Sequence, residues 1–339
     1  MSVVLYGVHV GAACRALTGL AFTAMAALAS AQQPAPVAPD NPAHTSSAAP
    51  LELVVLGSGG PGATGRAGAS YLVLLDGVPR IMVDAGPGSF ARLGEAKLSL
   101  AKADIVLLTH LHVDHAGELP GLLKARAVSS RGPIDFQVFG PDGRRGRPGK
   151  GTAAADADFP STGRFVDLLF GKRGAFGYLH NFSAPISIRT TDIVTAPRSG
   201  SQIRNIYTEG DLRISAVPGH HRDAPSVIYR IDYAGKSITF SGDIDADGLP
   251  GLRRIARDTS LLVFNSVVLD PPGSPAVLYA LHTPPGAIGE LAEDSHAKKV
   301  LLSHLSPSID NARIAVEASI VRRYAGPVEF ARDGLRLLP

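Results

Sequence analysis

Residues 109–117 read Thr-His-Leu-His-Val-Asp-His-Ala-Gly, which sets His110, His112, Asp114 and His115 within six residues. Neutral imidazole and carboxylate both donate to Zn2+ or a similar divalent ion, so this density of the two types points to metal binding. A lone histidine reads as a solvated or satisfied side chain, but three around one aspartate do not. Four ligands from one loop cannot enclose two ions, so the remainder must come from later segments. Three apolar runs supply them at their ends: Val217-Pro218-Gly219-His220-His221, Ser241-Gly242-Asp243 and Leu301-Leu302-Ser303-His304. Sheets of α/β proteins assemble their sites at the C-terminal ends of strands, which is where every one of these candidates falls.

The elements that must carry them alternate along the chain. Strand-like runs fall at Leu51–Leu56, Ser70–Leu75, Arg80–Val83, Ile105–Thr109, Asp135–Phe139, Leu212–Val217, Val227–Asp232, Ser237–Ser241, Leu261–Phe264 and Val300–Ser303. Helix-like segments lie between them at Gly88–Gly94, Glu118–Val128, Leu249–Arg257, Pro285–Ser295 and Ile309–Tyr324. This alternation predicts an α/β architecture. A Gly/Arg-rich stretch, about 140–181, breaks the rhythm and reads as an inserted arm.

With 45% hydrophobic and 19% charged residues, the composition excludes bulk disorder, a coiled coil and a collagen-like fibre. The net charge of +3 gives no general case for nucleic-acid binding. The single cysteine, Cys14, excludes an intrachain disulfide and a cysteine-based zinc ribbon. Arg15, the apolar run Leu17–Ala29 and the small-residue site Ala29-Ser30-Ala31 have the order of a signal peptide cut after Ala31. The expected organisation is a signal peptide over 1–31, a Pro/Ala-rich linker over 32–50 and one domain over 51–339. The mature protein would be periplasmic or secreted, without a thiol and without a membrane span.

From about Leu53 to Pro307 the chain resembles the metallo-β-lactamase superfamily, and within it the ribonuclease Z/arylsulfatase-like branch. The resemblance rests on the His-x-His-x-Asp-His signature with its downstream His, Asp and His. It implies a four-layer αβ/βα sandwich and two divalent metal ions, Zn2+ first, with Mn2+ or Fe as alternatives. It further implies that His110, His112 and His221 hold one ion, that Asp114, His115 and His304 hold the other, and that Asp243 bridges them. His221 is preferred to His220 because its spacing to Pro225 and Tyr229 matches the family pattern. His282, which opens His-Thr-Pro-Pro-Gly-Ala, matches a further histidine of ribonuclease Z-like members. It would protonate the leaving group or meet a phosphate or sulfate oxygen, the bland alternative being a helix cap. Asp84, in Val-Asp-Ala-Gly, would order a loop and accept the far N–H of a ligand imidazole.

The function implied is an exported binuclear hydrolase of the phosphodiesterase, arylsulfatase or esterase kind. A metal-bridging hydroxide, oriented by Asp114, would cleave a phosphodiester, sulfate ester, carboxylic ester or lactone. The absence of a Gly-x-Ser-x-Gly elbow agrees with a nucleophile that is not a side chain. The expected substrate is a small molecule rather than nucleic acid, and a homodimer is common in the resembled family. A tRNA 3′-endonuclease is the first alternative. Pro61 and Arg66 survive from that enzyme's basic loop pattern, but its lysine is missing and Ala67 replaces its asparagine. A β-lactamase and a degenerate periplasmic binding protein are the others.

Overall fold

A strand buried on both faces needs apolar residues at every position, and Ser70–Leu75 (Ser-Tyr-Leu-Val-Leu-Leu) has them at all but the first. Tyr71, Val73 and Leu75 point into one core and Leu72 and Leu74 into another, the period-2 alternation of a strand. This double burial repeats through a computed structural model that describes residues 48–62, 64–146, 158–182, 184–195 and 202–339. The expected signal peptide, and the linker up to residue 47, lie outside the described residues.

Two seven-stranded sheets face each other. The first contains β1 (Leu51–Gly57), β2 (Ser70–Leu75), β3 (Val78–Val83), β4 (Ile105–Leu107), β5 (Ile134–Pro141) and β6 (Ile186–Ile193), with β14 (Arg336–Leu337) beside β1. The second contains β7 (Arg204–Glu209), β8 (Leu212–Pro218), β9 (Val227–Tyr233), β10 (Lys236–Phe240), β11 (Leu261–Asn265), β12 (Val300–Ser303) and β13 (Val328–Phe330), with neighbours in chain order. The inward faces share one core, in which Tyr71, Val83 and Leu107 meet Ile214, Tyr229 and Phe240. Helices α1 (Ser89–Glu95), α3 (Leu119–Val128) and α4 (Thr162–Phe170) cover the outer face of the first sheet through Leu93, Leu122 and Phe170. Helices α5 (Leu249–Ile255), α7 (Pro285–Asp294) and α9 (Arg313–Val321) cover the second through Leu252, Ile288 and Ile320. The result is the expected four-layer αβ/βα sandwich.

Two expectations need amendment. The stretch read as an inserted arm is only partly peripheral, because its helix α4 buries Val166 and Phe170 beneath the parallel pair β5 and β6. Ser161 starts that helix by accepting a hydrogen bond from the Arg164 amide at 3.2 Å. Residues 147–157 of the stretch lie outside the described residues. The helix expected over Ile309–Tyr324 is two, α8 (Pro307–Asn311) and α9, broken where Ala312 turns to φ −124°.

The candidate residues follow β4, β8, β10 and β12, whose C-terminal ends lie together at one edge of the sandwich. Three buried cross-sheet bonds tie that edge: Tyr71 Oη donates to Ser303 Oγ at 2.7 Å, Tyr229 Oη to the Leu108 carbonyl at 3.1 Å, and the Val227 amide to the Thr109 carbonyl at 2.8 Å. Each such bond contributes about 1 kcal/mol net, and its loss would expose a buried group to a larger penalty.

Candidate metal centre

Asp84 follows β3 in the left-handed region, at φ 56°, a conformation that aspartate tolerates better than most residues. Its buried carboxylate accepts from the Thr109 amide at 2.7 Å, from Thr109 Oγ1 at 2.8 Å and from His115 Nδ1 at 2.8 Å. The loop after β4 is thereby clamped, and the one-turn helix α2 (Val113–Ala116) that follows carries Asp114 and His115. With Nδ1 engaged, His115 directs Nε2 inward, where it is buried without a hydrogen-bond partner.

That nitrogen is one of several that converge on a single carboxylate oxygen. Asp243 Oδ2 lies 3.5 Å from His304 Nε2, 3.7 Å from His115 Nε2, 3.8 Å from His221 Nε2 and 3.9 Å from His110 Nε2. His282 Nδ1 is 4.0 Å away from the same atom. Asp243 Oδ1 is held from behind by Asn265 Nδ2 at 2.7 Å. His112 Nδ1 lies 3.1 Å from His110 Nε2, and Asp114 Oδ2 lies 3.1 Å from His304 Nε2. Two donors on one tetrahedral zinc, each at about 2.1 Å, sit about 3.4 Å apart, the spacing found here. The candidate ligand atoms of His110, His112 and His221 lie within 4.8 Å of one another, as do those of Asp114, His115 and His304. The donor set is entirely nitrogen and oxygen, and a buried imidazole nitrogen without a partner points into it, so these residues fit divalent metal.

The electrostatics match that fit. Burial, reinforced by neighbouring imidazoles, holds His110 well below its ordinary value, and burial also lowers His112. Burial alone would lower His115 too, but the carboxylates of Asp84 and Asp243 outweigh it and hold that imidazole well above its ordinary value. For Asp243 burial favours the neutral form, yet His304 and His115 outweigh it and keep the carboxylate ionised. Asp114 is likewise lowered against its burial by the His304 hydrogen bond and by His115. Burial pushes His282 down to about 4, against the pull of Asp243, so it is neutral at pH 7.

All seven residues expected as ligands are brought together, with His282 beside them. His221 faces the cluster and fixes its ring by pairing Nδ1 with the Leu281 carbonyl at 3.0 Å. His220 turns outward, half exposed, with Nδ1 2.7 Å from Asp245. His282 does not cap the following helix, whose N-cap is Pro284, and Thr283 pins its segment by donating to the Ile244 carbonyl at 3.0 Å. His304 is also left-handed, at φ 55°, and Gly60 packs against its ring so closely that a Cβ there would lie 2.7 Å from Cε1. Arg66 is turned inward, with Nε and Nη2 donating to the two oxygens of Asp310 at 3.1 and 2.8 Å. One neighbour escaped the sequence reading. Asp223 places Oδ1 3.2 Å from His221 Nε2 and Oδ2 3.7 Å from His112 Nε2.

The family model described as "Metallo-beta-lactamase superfamily" matches residues 63–280. The chain belongs to that superfamily. The chain is a metal-dependent hydrolase on the ribonuclease Z side of that superfamily. It is 31% identical to the ribonuclease Z of Mycobacterium marinum over 224 residues, covering 65% of this chain and 72% of that one. It is 28% identical to the ribonuclease Z of Mycobacterium avium over 229 residues, covering 65% and 71%. Among solved structures, the short form of human tRNase Z superposes with a TM-score of 0.62 at 20% identity, covering 85% of this chain and 98% of that one, a likeness of superfamily fold. Among the described residues no helix is long and apolar enough to cross a membrane.

Proposed function

We propose that this protein is an exported hydrolase that uses two divalent ions, zinc first, to cleave an ester-type bond, with phosphodiesters as the leading substrate class. His110, His112 and His221 would hold the first ion, Asp114, His115 and His304 the second, with Asp243 between them. The observation that carries this reading is the convergence of four imidazole Nε2 atoms on Asp243 Oδ2 at 3.5–3.9 Å. Two ions bound there supply Lewis acidity and a water-derived nucleophile at neutral pH. Relatives named ribonuclease Z support the phosphodiester among the ester classes. Export rests on the order of Arg15, Leu17–Ala29 and Ala31 alone.

The chain's own side chains supply direction and protons. Asp114, kept ionised, accepts a hydrogen bond from the attacking water and fixes its approach. His282, neutral in the free protein, donates a ring N–H to an ester oxygen. An anionic substrate beside it favours the charged imidazole, and that is the state that can pass a proton to the leaving oxygen.

The relatives' name also favours a second reading, cleavage of precursor tRNA. Against it, Arg66 is engaged with Asp310 and the loop Gly62–Gly65 holds no lysine. The test is a panel assay of zinc-loaded protein on bis(p-nitrophenyl) phosphate, an aryl sulfate, a carboxylic ester, a lactone, a β-lactam and a precursor tRNA. Phosphodiester cleavage that chelation or Asp243→Ala abolishes is expected. Cleavage confined to precursor tRNA selects the second reading, and cleavage confined to the β-lactam overturns both.

A further inference from the structure

The loop after β8 carries a carboxylate that neither the ligand set above nor the fold accounts for. Asp223 lies two residues beyond His221, inside a turn closed by the Ala224 amide donating to the His221 carbonyl at 2.7 Å. Its backbone is held from the far side, where Arg144 Nη2 donates to the Asp223 carbonyl at 2.6 Å. Arg144 in turn lies over the Phe159 ring at 5.3 Å, and Phe159 lies 5.8 Å from the His112 ring. The segment expected to be a peripheral arm therefore braces this loop against the site. Asp245 holds the preceding residue through the Arg222 amide at 3.2 Å. The backbone that carries Asp223 is thus held at three points, and its side chain is only 20% exposed.

The side chain is half-buried, and its surroundings offer no donor to the oxygen that is turned inward. Asp223 Oδ1 is buried and has no hydrogen-bond partner. The nearest polar atom recorded for it is His221 Nε2 at 3.2 Å, the imidazole nitrogen turned toward the cluster, since Nδ1 is taken by the Leu281 carbonyl. With Nδ1 taken by the Leu281 carbonyl, His221 Nε2 and Asp223 Oδ1 are left turned toward the same space, each free to donate a lone pair. A metal ion placed between the two atoms would satisfy both at once. The separation is that of two ligand atoms on one ion at about 2.1 Å each.

We propose that Asp223 Oδ1 is a ligand of the first metal position, together with His110, His112 and His221. This rests on the binuclear reading given above and deepens it. The first position then has three imidazoles and a carboxylate of its own, against the two imidazoles and one carboxylate of His115, His304 and Asp114 at the second. The first ion is therefore bound more tightly and lost last. An alternative role is available to Oδ2, which at 3.7 Å from His112 Nε2 could merely orient that ring.

The test compares wild type, Asp223→Asn and Asp223→Ala, each checked for folding by circular dichroism. Metal content is measured by mass spectrometry after dialysis against graded chelator, and the cobalt-substituted proteins are examined by visible absorption. Wild type should retain one equivalent at chelator levels that remove the other. Asp223→Asn still offers His112 an acceptor but no anionic ligand. Both variants should thus weaken the retained equivalent about 100-fold or more, beyond the 10–100-fold typical of an orienting partner, and both should alter the cobalt ligand-field bands. Wild-type retention and spectrum in Asp223→Asn, with wild type still holding two equivalents, overturns the ligand role and leaves the binuclear reading intact. A wild type that binds no metal removes the binuclear reading itself.

Discussion

Asp84→Asn isolates the contribution of one buried carboxylate to the metal centre. Asparagine is isosteric and tolerates φ 56° at least as well as aspartate, so backbone strain does not confound the comparison. In the native site Oδ1 accepts from the Thr109 amide, and Oδ2 accepts from both Thr109 Oγ1 and His115 Nδ1. An amide has one oxygen, so in either orientation its NH2 meets a donor, either the Thr109 N–H or the N–H at His115 Nδ1. The second clash resolves if the His115 proton moves to Nε2, the nitrogen that faces Asp114 and Asp243 at 3.6 and 3.7 Å, and there it blocks metal. Losing the charge-assisted bonds should cost about 1.5–3 kcal/mol of stability. Losing the orienting partner should weaken the second metal position about 10–100-fold. Chelator competition with metal analysis reads the affinity, and denaturant unfolding of the metal-free protein reads the stability. An Asp84→Asn protein that binds two equivalents with wild-type affinity would refute the tautomer argument, even if it proved less stable.

Three further outcomes follow from the same geometry. Gly60→Ala, whose Cβ would sit 2.7 Å from His304 Cε1, should displace that ring and empty the second metal position while the first stays filled, a pattern that metal analysis resolves. In the metal-free protein His115 is held well above its ordinary value, so it carries a proton at pH 7 that metal must expel. Calorimetric titration in buffers of different ionisation enthalpy should therefore show proton release, declining as pH rises through that elevated value, and its absence at pH 7 would contradict the assignment. By the same sign, the stability that His115 lends the metal-free protein is full below about 6.5 and lost as pH rises through its folded value. Arg66→Ala should cost about 1–3 kcal/mol in denaturant unfolding, through its lost bonds to Asp310, and leave phosphodiester turnover unchanged. Selective loss of RNA cleavage at full stability would instead return Arg66 to substrate binding.

The sequence by itself determined the donor types and the ends of the strands that carry them. His110, His112, Asp114 and His115 are legible because their spacing is local, and continuous apolar runs such as β2 are legible because burial on both faces leaves one pattern. The sequence was weaker at the periphery. β6 and β7 escaped because their side chains are largely exposed, and α4 because a Gly/Arg-rich stretch surrounds its short apolar stripe. Only the tertiary structure decided which histidine of the pair 220 and 221 faces inward, since adjacent residues after a strand point to opposite sides and Asp245 and Leu281 fix the choice. Only it turned Arg66 toward Asp310, 244 positions away, and laid Asp223 against His112 and His221. Those contacts join segments distant in the chain, or depend on the direction of a turn that Arg144 holds. Neither has a period or a spacing from which a linear reading could find it.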